Sequence, residues 1–186
     1  MLAAGGSTRL GSPKQLLPHR GTSLLRHAAE TAVAVGAARV VVVVGAEAER
    51  LRAELNGLAV LIAENQCWAE GLSTSVRAGL DALEAATEPE ALLFTTCDQP
   101  FVTPDLLRAM IAVYEASRPP VVACEYAGAV GVPALFDRAL WNELRDLSGD
   151  SGARRIIERH LAQAVRVPFP EAAVDVDDAE DARRLR

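Results

Sequence analysis

Val40-Val41-Val42-Val43-Val44-Gly45 decides the fold class of this 186-residue chain. A run that is apolar at every position has no polar face to give to water, so it suits a strand buried on both sides, as in a parallel sheet. Residues 59–63 and 91–97 read the same way, and residues 120–124 follow them. Between these runs lie helical stretches at residues 23–35, 47–55, 73–86 and 104–117. The last opens with Thr103-Pro104, a capping residue before a proline at the first helical position. Strands that alternate with helices imply a parallel sheet covered on both faces. Right-handed crossovers then give a three-layer, doubly wound α/β domain with a mostly parallel sheet.

Beyond Cys124 the pattern is less regular. Helices are expected at residues 136–145 and 152–162, then a short strand at residues 165–168. The acidic run Asp175-Val176-Asp177-Asp178-Ala179-Glu180-Asp181 leads into a last helix, whose positive N-terminal end favours those carboxylates. No repeat or low-complexity linker interrupts the chain, so residues 1–186 are expected to form a single domain. Only Met1, Leu2 and Ala3 precede the small-residue turn that follows, where a first strand of about five or six residues is expected. A few apolar residues ahead of Met1 in the natural protein are therefore expected.

Half the residues are hydrophobic, enough for a sizeable core without staples. The net charge of −6 argues against nucleic acid as a partner, because that affinity needs a basic face. A single bound nucleotide needs only a few local cations. Cys67, Cys97 and Cys124 lack metal-ligand spacing and read as reduced, small hydrophobes. No basic-then-apolar leader opens the chain, and no apolar run approaches the ~20 residues of a membrane helix. A cytoplasmic address, with no membrane partner, is the expectation.

The stretch from Leu2 to Lys14 reads Leu-Ala-Ala-Gly-Gly-Ser-Thr-Arg-Leu-Gly-Ser-Pro-Lys. Small residues where a strand ends let backbone N–H groups close on phosphate oxygens. Arg9 offers a fork of donors matched to phosphate, and Lys14 adds a compact positive charge. Neither the Walker order G-x-x-x-x-G-K-S/T nor G-x-G-x-x-G is present. The plain alternative is a glycine-rich loop with two solvated cations. Thr95-Thr96-Cys97-Asp98-Gln99-Pro100 falls at the carboxyl end of an expected central strand, where open α/β sheets bind ligands. A carboxylate there suits Mg²⁺, which takes one or two carboxylates plus phosphate oxygens. The alternative for Asp98 is a cap of the turn before Pro100.

The opening string, L-A-A-G-x-S-x-R-M/L-G-x-P-K-x-L-L in general form, resembles the signature of the molybdenum cofactor cytidylyltransferase family, MobA-like NTP transferases with a Rossmann-like nucleotidyltransferase fold. The resemblance runs from Leu2 to about Leu185. It implies that the loop wraps a nucleoside triphosphate, with nucleotide contacts from Leu2, Ala3, Ala4, Gly5, Gly6, Ser7, Arg9 and Lys14. Related guanylyltransferases start L-A-G-G, so Ala4 implies CTP over GTP. Thr95 to Pro100 is similar to the family's G-D-Q-P, which implies metal binding by Asp98. The tail is similar to D-I-D-T-P-E-D-L and implies a second metal ligand at Asp177, with Asp175 as the alternative. Asn65-Gln66-Cys67-Trp68-Ala69-Glu70-Gly71-Leu72-Ser73 is similar to N-P-x-W-A-E-G-M/L-S, which lies near the base and ribose. Asn65, Gly71 and Ser73 are thus implied nucleotide contacts. Ser73 also reads as a helix cap, and Trp68 as core packing or as a ligand contact.

Gly149-Asp150-Ser151-Gly152-Ala153-Arg154 is similar to G-D-x-G-A-R, with Asp150 favoured as a helix N-cap. Gly131-Val132-Pro133 stands where the family has G-H-P, which puts the acceptor's identity in doubt. The implied chemistry is Mg²⁺-dependent transfer of CMP from CTP to a phosphorylated acceptor of the molybdopterin type, with release of pyrophosphate. Arg9, Lys14 and Asp98 are the implied catalytic residues, and a molybdenum hydroxylase the implied recipient. Transfer from GTP, another acceptor, or a non-catalytic carrier of finished cofactor are the alternatives. A nicotinamide-dependent oxidoreductase would need a G-x-G-x-x-G turn that Gly5, Gly6 and Gly11 do not form. His19, His27 and His160 have no metal-ligand spacing, and Ser7 has no base in its own motif.

Overall fold

The computed structural model describes residues 1–7, 11–173, 176 and 181. The chain opens with residues 1–3 in extended form, followed by a small hairpin of β1 (Pro18–His19) and β2 (Thr22–Ser23). Ser23 then caps α1 (Leu24–Ala34), its hydroxyl accepting from the Arg26 N–H at 3.1 Å. Alternation follows as β3 (Val41–Val44), α2 (Ala48–Glu54), β4 (Leu61–Glu64), α3 (Leu72–Ala86), β5 (Ala91–Phe94) and α4 (Pro104–Ser117). Thr103 caps α4 as expected, accepting from the Leu106 N–H at 3.2 Å. The chain continues through β6 (Val121–Tyr126), β7 (Ala129–Asp137), α5 (Trp141–Arg145), α6 (Ala153–Arg159) and β8 (Val165–Pro168).

β3 pairs parallel with β4, and a second sheet has the order β5-β7-β6-β8. Residues 1–3 join the two. Leu2 bridges in parallel to both Val43 and Thr96, through Ala3 N–H to Val43 O (2.9 Å) and Leu2 N–H to Thr95 O (2.9 Å). The combined order is therefore β4, β3, residues 1–3, β5, β7, β6, β8. β7 runs antiparallel to both neighbours, and β6 pairs parallel with β8.

The valine run is buried at all four β3 positions, and its pleat splits it between layers. Val41 and Val43 belong to the same core cluster as Val76, Leu80 and Leu83 of α3, a cluster that also takes in Ile156 and Ile157 of α6. Val42 and Val44 pack with Leu25 and Ala29 of α1 and Leu51 of α2. Leu107 and Met110 of α4 cover β6 through Val122 and Cys124, and β7 through Leu135. The doubly wound, three-layer expectation holds.

The expected helix at residues 136–145 is corrected. Phe136 lies inside β7, and the helix is the short α5, entered by a 3₁₀ turn at Arg138–Leu140. β7 escapes a sequence reading because Gly131 and Pro133 interrupt it, and both disfavour a strand. The sheet accommodates them beside a register shift at Ala123/Cys124 of the partner β6. β5 is also shorter than residues 91–97, since the chain beyond Phe94 leaves β7 and turns toward the opening segment. The helix expected after the acidic run falls almost wholly outside the described residues.

Candidate active site

The order of strands reverses at residues 1–3, with β3 on one side and β5 on the other. The crevice beyond the carboxyl ends of such a pair is where open α/β sheets place ligands. A cleft of about 500 Å³ lies there. Leu2, Ala3 and Ala4 form its floor, Gly5, Gly6 and Ser7 its rim, and Lys14, Gly71 and Asp98 face it. Trp68 and Asp150 also line it.

The rim is a loop whose carbonyls are turned inward. Ala3 O and Gly5 O accept from Gln15 Nε2 at 2.9 and 2.7 Å, and Ala4 O accepts from the Ala46 N–H at 3.0 Å. The N–H groups of Gly5, Gly6 and Ser7 have no acceptor among the described residues. Ser7 takes a left-handed conformation (φ 50°), of the kind that lets successive N–H groups converge on an anion. Its hydroxyl accepts from the Lys14 N–H at 2.9 Å and donates to Gln15 Oε1 at 3.3 Å.

Lys14 and Asp98 meet across the cleft with Nζ 2.6 Å from Oδ2, each side chain about four-fifths buried. Asp98 is thus an ion-pair partner rather than a cap of the Pro100 turn. Its neighbour Cys97 is buried, and desolvation, with the Asp98 charge second, pushes its thiol up to about 12. Buried Val176 donates its N–H to Asp98 O at 3.0 Å. Asp177 and Asp175, the expected second ligand and its alternative, lie outside the described residues, as does Arg9.

The site fits a divalent cation held by one carboxylate. A positive charge already sits 2.6 Å from Asp98, in the form of the Lys14 ammonium. Among the described residues no three His, Cys, Asp or Glu side chains gather to hold a metal. Asp98 would therefore need oxygens from a ligand to complete a shell, the arrangement Mg²⁺ favours.

Two residues expected at the nucleotide stand behind the cleft wall. Asn65 is 5% exposed, its amide spent on Thr74 Oγ1 (2.8 Å), Ser75 Oγ (2.9 Å) and the Cys67 N–H (3.0 Å). Ser73 is fully buried, and its hydroxyl has no partner among the described residues. It is no helix cap either, because α3 starts at Leu72 with Gly71 in the capping place. Gly71 (φ 114°) presses against the Gly149 backbone, and the Ser73 N–H reaches Gly149 O at 3.0 Å. Asp150 is likewise not the cap of α6; Gly152 holds that position, which leaves the Asp150 residue on the cleft wall. Trp68 packs on the core and lines the cleft beside Gly6.

Sequence reasoning missed Gln15, which is 1% exposed and bonds Ala3, Gly5 and Ser7 of this loop. Its signal was one polar residue ahead of Leu16-Leu17 directly after Lys14. Gln99, also buried, was passed over too; it donates to Val132 O at 3.0 Å.

Residues 1–165 match the MobA-like NTP transferase domain. The chain is 32% identical to nicotine blue oxidoreductase of Paenarthrobacter nicotinovorans, covering 100% of this chain and 94% of that protein. It is 34% identical to the crystal structure of Rv0371c from Mycobacterium tuberculosis H37Rv, with a TM-score of 0.80 over 99% of this chain and 94% of that one. Rv0371c has also been solved in complex with manganese, and that structure matches at 33% identity and a TM-score of 0.76, with the same coverage. The cleft at the strand reversal, an inward-turned loop and an Asp98 strand end accompany this match, and the chain belongs to the MobA-like family of nucleotidyltransferases.

Proposed function

We propose that this protein transfers CMP from CTP to a phosphorylated acceptor of the molybdopterin type, releasing pyrophosphate, with Mg²⁺ as its metal and residues 1–186 acting as one domain. The observation that supports this best is the Lys14–Asp98 pair set beside loop N–H groups that have no acceptor among the described residues. Phosphate oxygens would take the N–H groups of Gly5, Gly6 and Ser7, with Lys14 and Arg9 neutralising the triphosphate. Lys14 would then exchange its carboxylate for phosphate, and Asp98, together with Asp177, would hold the metal. The bound ion would offset charge between the α- and β-phosphates. An acceptor phosphate oxygen attacks the α-phosphorus in line. The bond from that phosphorus to the bridging oxygen breaks, and pyrophosphate departs with the electron pair. Positioning and charge carry such a reaction, with no covalent intermediate on the protein.

The test is pyrophosphate release with Mg²⁺ and each of CTP, GTP, ATP and UTP, with and without molybdopterin. Release with CTP that requires molybdopterin supports the proposal. Release with GTP alone moves the base preference. Binding of CTP with no release under any condition supports a cofactor carrier that serves a molybdenum hydroxylase. A second reading draws on the oxidoreductase named among the relatives, similar over the whole chain. Transfer of hydride from a reduced nicotinamide to an added quinonoid dye, dependent on this protein and with no pyrophosphate formed, would favour it.

A further inference from the structure

Gln15 spends its whole carboxamide on one loop. Both Nε2 hydrogens go to carbonyls, Ala3 O at 2.9 Å and Gly5 O at 2.7 Å, and Oε1 accepts from Ser7 Oγ at 3.3 Å. The two acceptors bracket Ala4, whose own carbonyl accepts from Ala46. Three consecutive carbonyls are thereby turned away from the cleft. The next N–H groups, of Gly5, Gly6 and Ser7, have no acceptor among the described residues, and all three residues line the cleft. Gln15 also reaches the cation. Ser7, held by Gln15, accepts the Lys14 N–H at 2.9 Å, and Lys14 carries the ammonium that faces Asp98. Ser7 is a non-glycine residue with φ 50°, a conformation that persists only where surrounding bonds fix it.

We propose that Gln15 is a positioning residue for phosphate: it sets the Ala3–Ser7 loop so that its N–H groups converge on the phosphates of a nucleoside triphosphate, and it fixes Lys14 through Ser7. The proposal rests on the nucleotide reading above and names a residue through which that site is built. A side chain that merely satisfied buried carbonyls would affect stability and leave the affinity of the folded protein for phosphate unchanged.

The probe is magnesium pyrophosphate, titrated calorimetrically into wild type, Gln15→Met, Gln15→Glu and Ser7→Ala at a temperature well below each melting point. Gln15→Met keeps the length and removes both donors; its pyrophosphate affinity falls about tenfold or more, with the acceptor KM unchanged. Gln15→Glu keeps the acceptor for Ser7 and removes the donors. Its deficit against wild type narrows as the pH is lowered and the carboxyl regains a proton to donate. A folded Gln15→Met with wild-type pyrophosphate affinity overturns the proposal. If Gln15→Met does not fold, Ser7→Ala decides: a several-fold loss supports the proposal, and no loss overturns it. Wild type that binds neither pyrophosphate nor any triphosphate removes the nucleotide reading, and this proposal with it.

Discussion

Gly71→Ala tests how the cleft wall is built. Gly71 sits at φ 114° and ψ 166°, a region that side chains rarely enter. A Cβ there would lie 2.4 Å from the Gly149 carbonyl carbon, 2.5 Å from its oxygen and 2.9 Å from Asp150 N. All three are backbone atoms, so no side chain can swing aside. Strain of this kind costs about 1–3 kcal/mol. Relieving the overlap moves the Gly149 segment and forfeits the Ser73 N–H bond to Gly149 O, about 1 kcal/mol more. The sum is about 3 kcal/mol, which for a chain of 186 residues lowers Tm by roughly 6–12 °C. Urea denaturation should show a lower midpoint with an unchanged slope. Asp150 moves with Gly149, so substrate affinity falls as well. Gly5→Ala is the control. Among the described residues nothing lies within 4 Å of its Cβ, so the fold keeps its Tm to within about 2 °C while the new methyl occupies space at the loop. A Gly71→Ala protein that melts with wild type would refute the close approach of the two glycines.

Lys14→Ala and Asp98→Ala are expected to fold and to lower turnover about 100-fold each, the scale of one lost preorganised charge partner, as read by pyrophosphate release. A folded Asp98→Ala with normal turnover would falsify its metal role. Among the thiols, burial raises Cys97 and Cys124 to about 12, while Cys67 is exposed. Native protein treated with iodoacetamide at pH 8 should gain one adduct by mass spectrometry; two or three would contradict the packing. His19 is held below its ordinary 6.5 by burial first and by the His27 and Arg20 charges next, and His27 by burial and then Arg20. Below about pH 6.5 the unfolded chain therefore binds more protons than the native one, so stability falls as the pH drops through that value and levels off above it. The urea midpoint should decline between pH 7 and pH 5.5, and less so in a His19→Gln/His27→Gln double variant. An equal decline in both would remove the histidine pair as its cause.

What the sequence revealed followed from how local each signal was. The valine run was legible because both faces of β3 are buried, so every position carries the same message. Thr103-Pro104 marked the start of α4 because capping is settled within three residues. β7 was illegible because its stability comes from neighbours on both sides, which override Gly131 and Pro133. The small-residue loop and Asp98 were found by residue type at a strand end. Gln15 was not, because its partners are carbonyls that only the fold turns toward it. Asn65 and Ser73 share a motif with Gly71, which implies a common place at the ligand. Part of that motif instead serves to tie residues 65–75 to themselves.

Residues 1–3 are the seam between two halves of the sheet. Leu2 carries the bridges to Val43 and to Thr96, and the next residues are the loop that rims the cleft. Whatever grips that loop therefore grips the seam. A ligand that binds only the native arrangement adds its binding energy to the native state. Because the grip falls on the seam, the gain should appear first as slowed amide exchange at Val43 on one side and Cys97 on the other, whose N–H groups bond Met1 O and Leu2 O. Occupancy of the cleft would thus be audible in the backbone of both half-sheets at once.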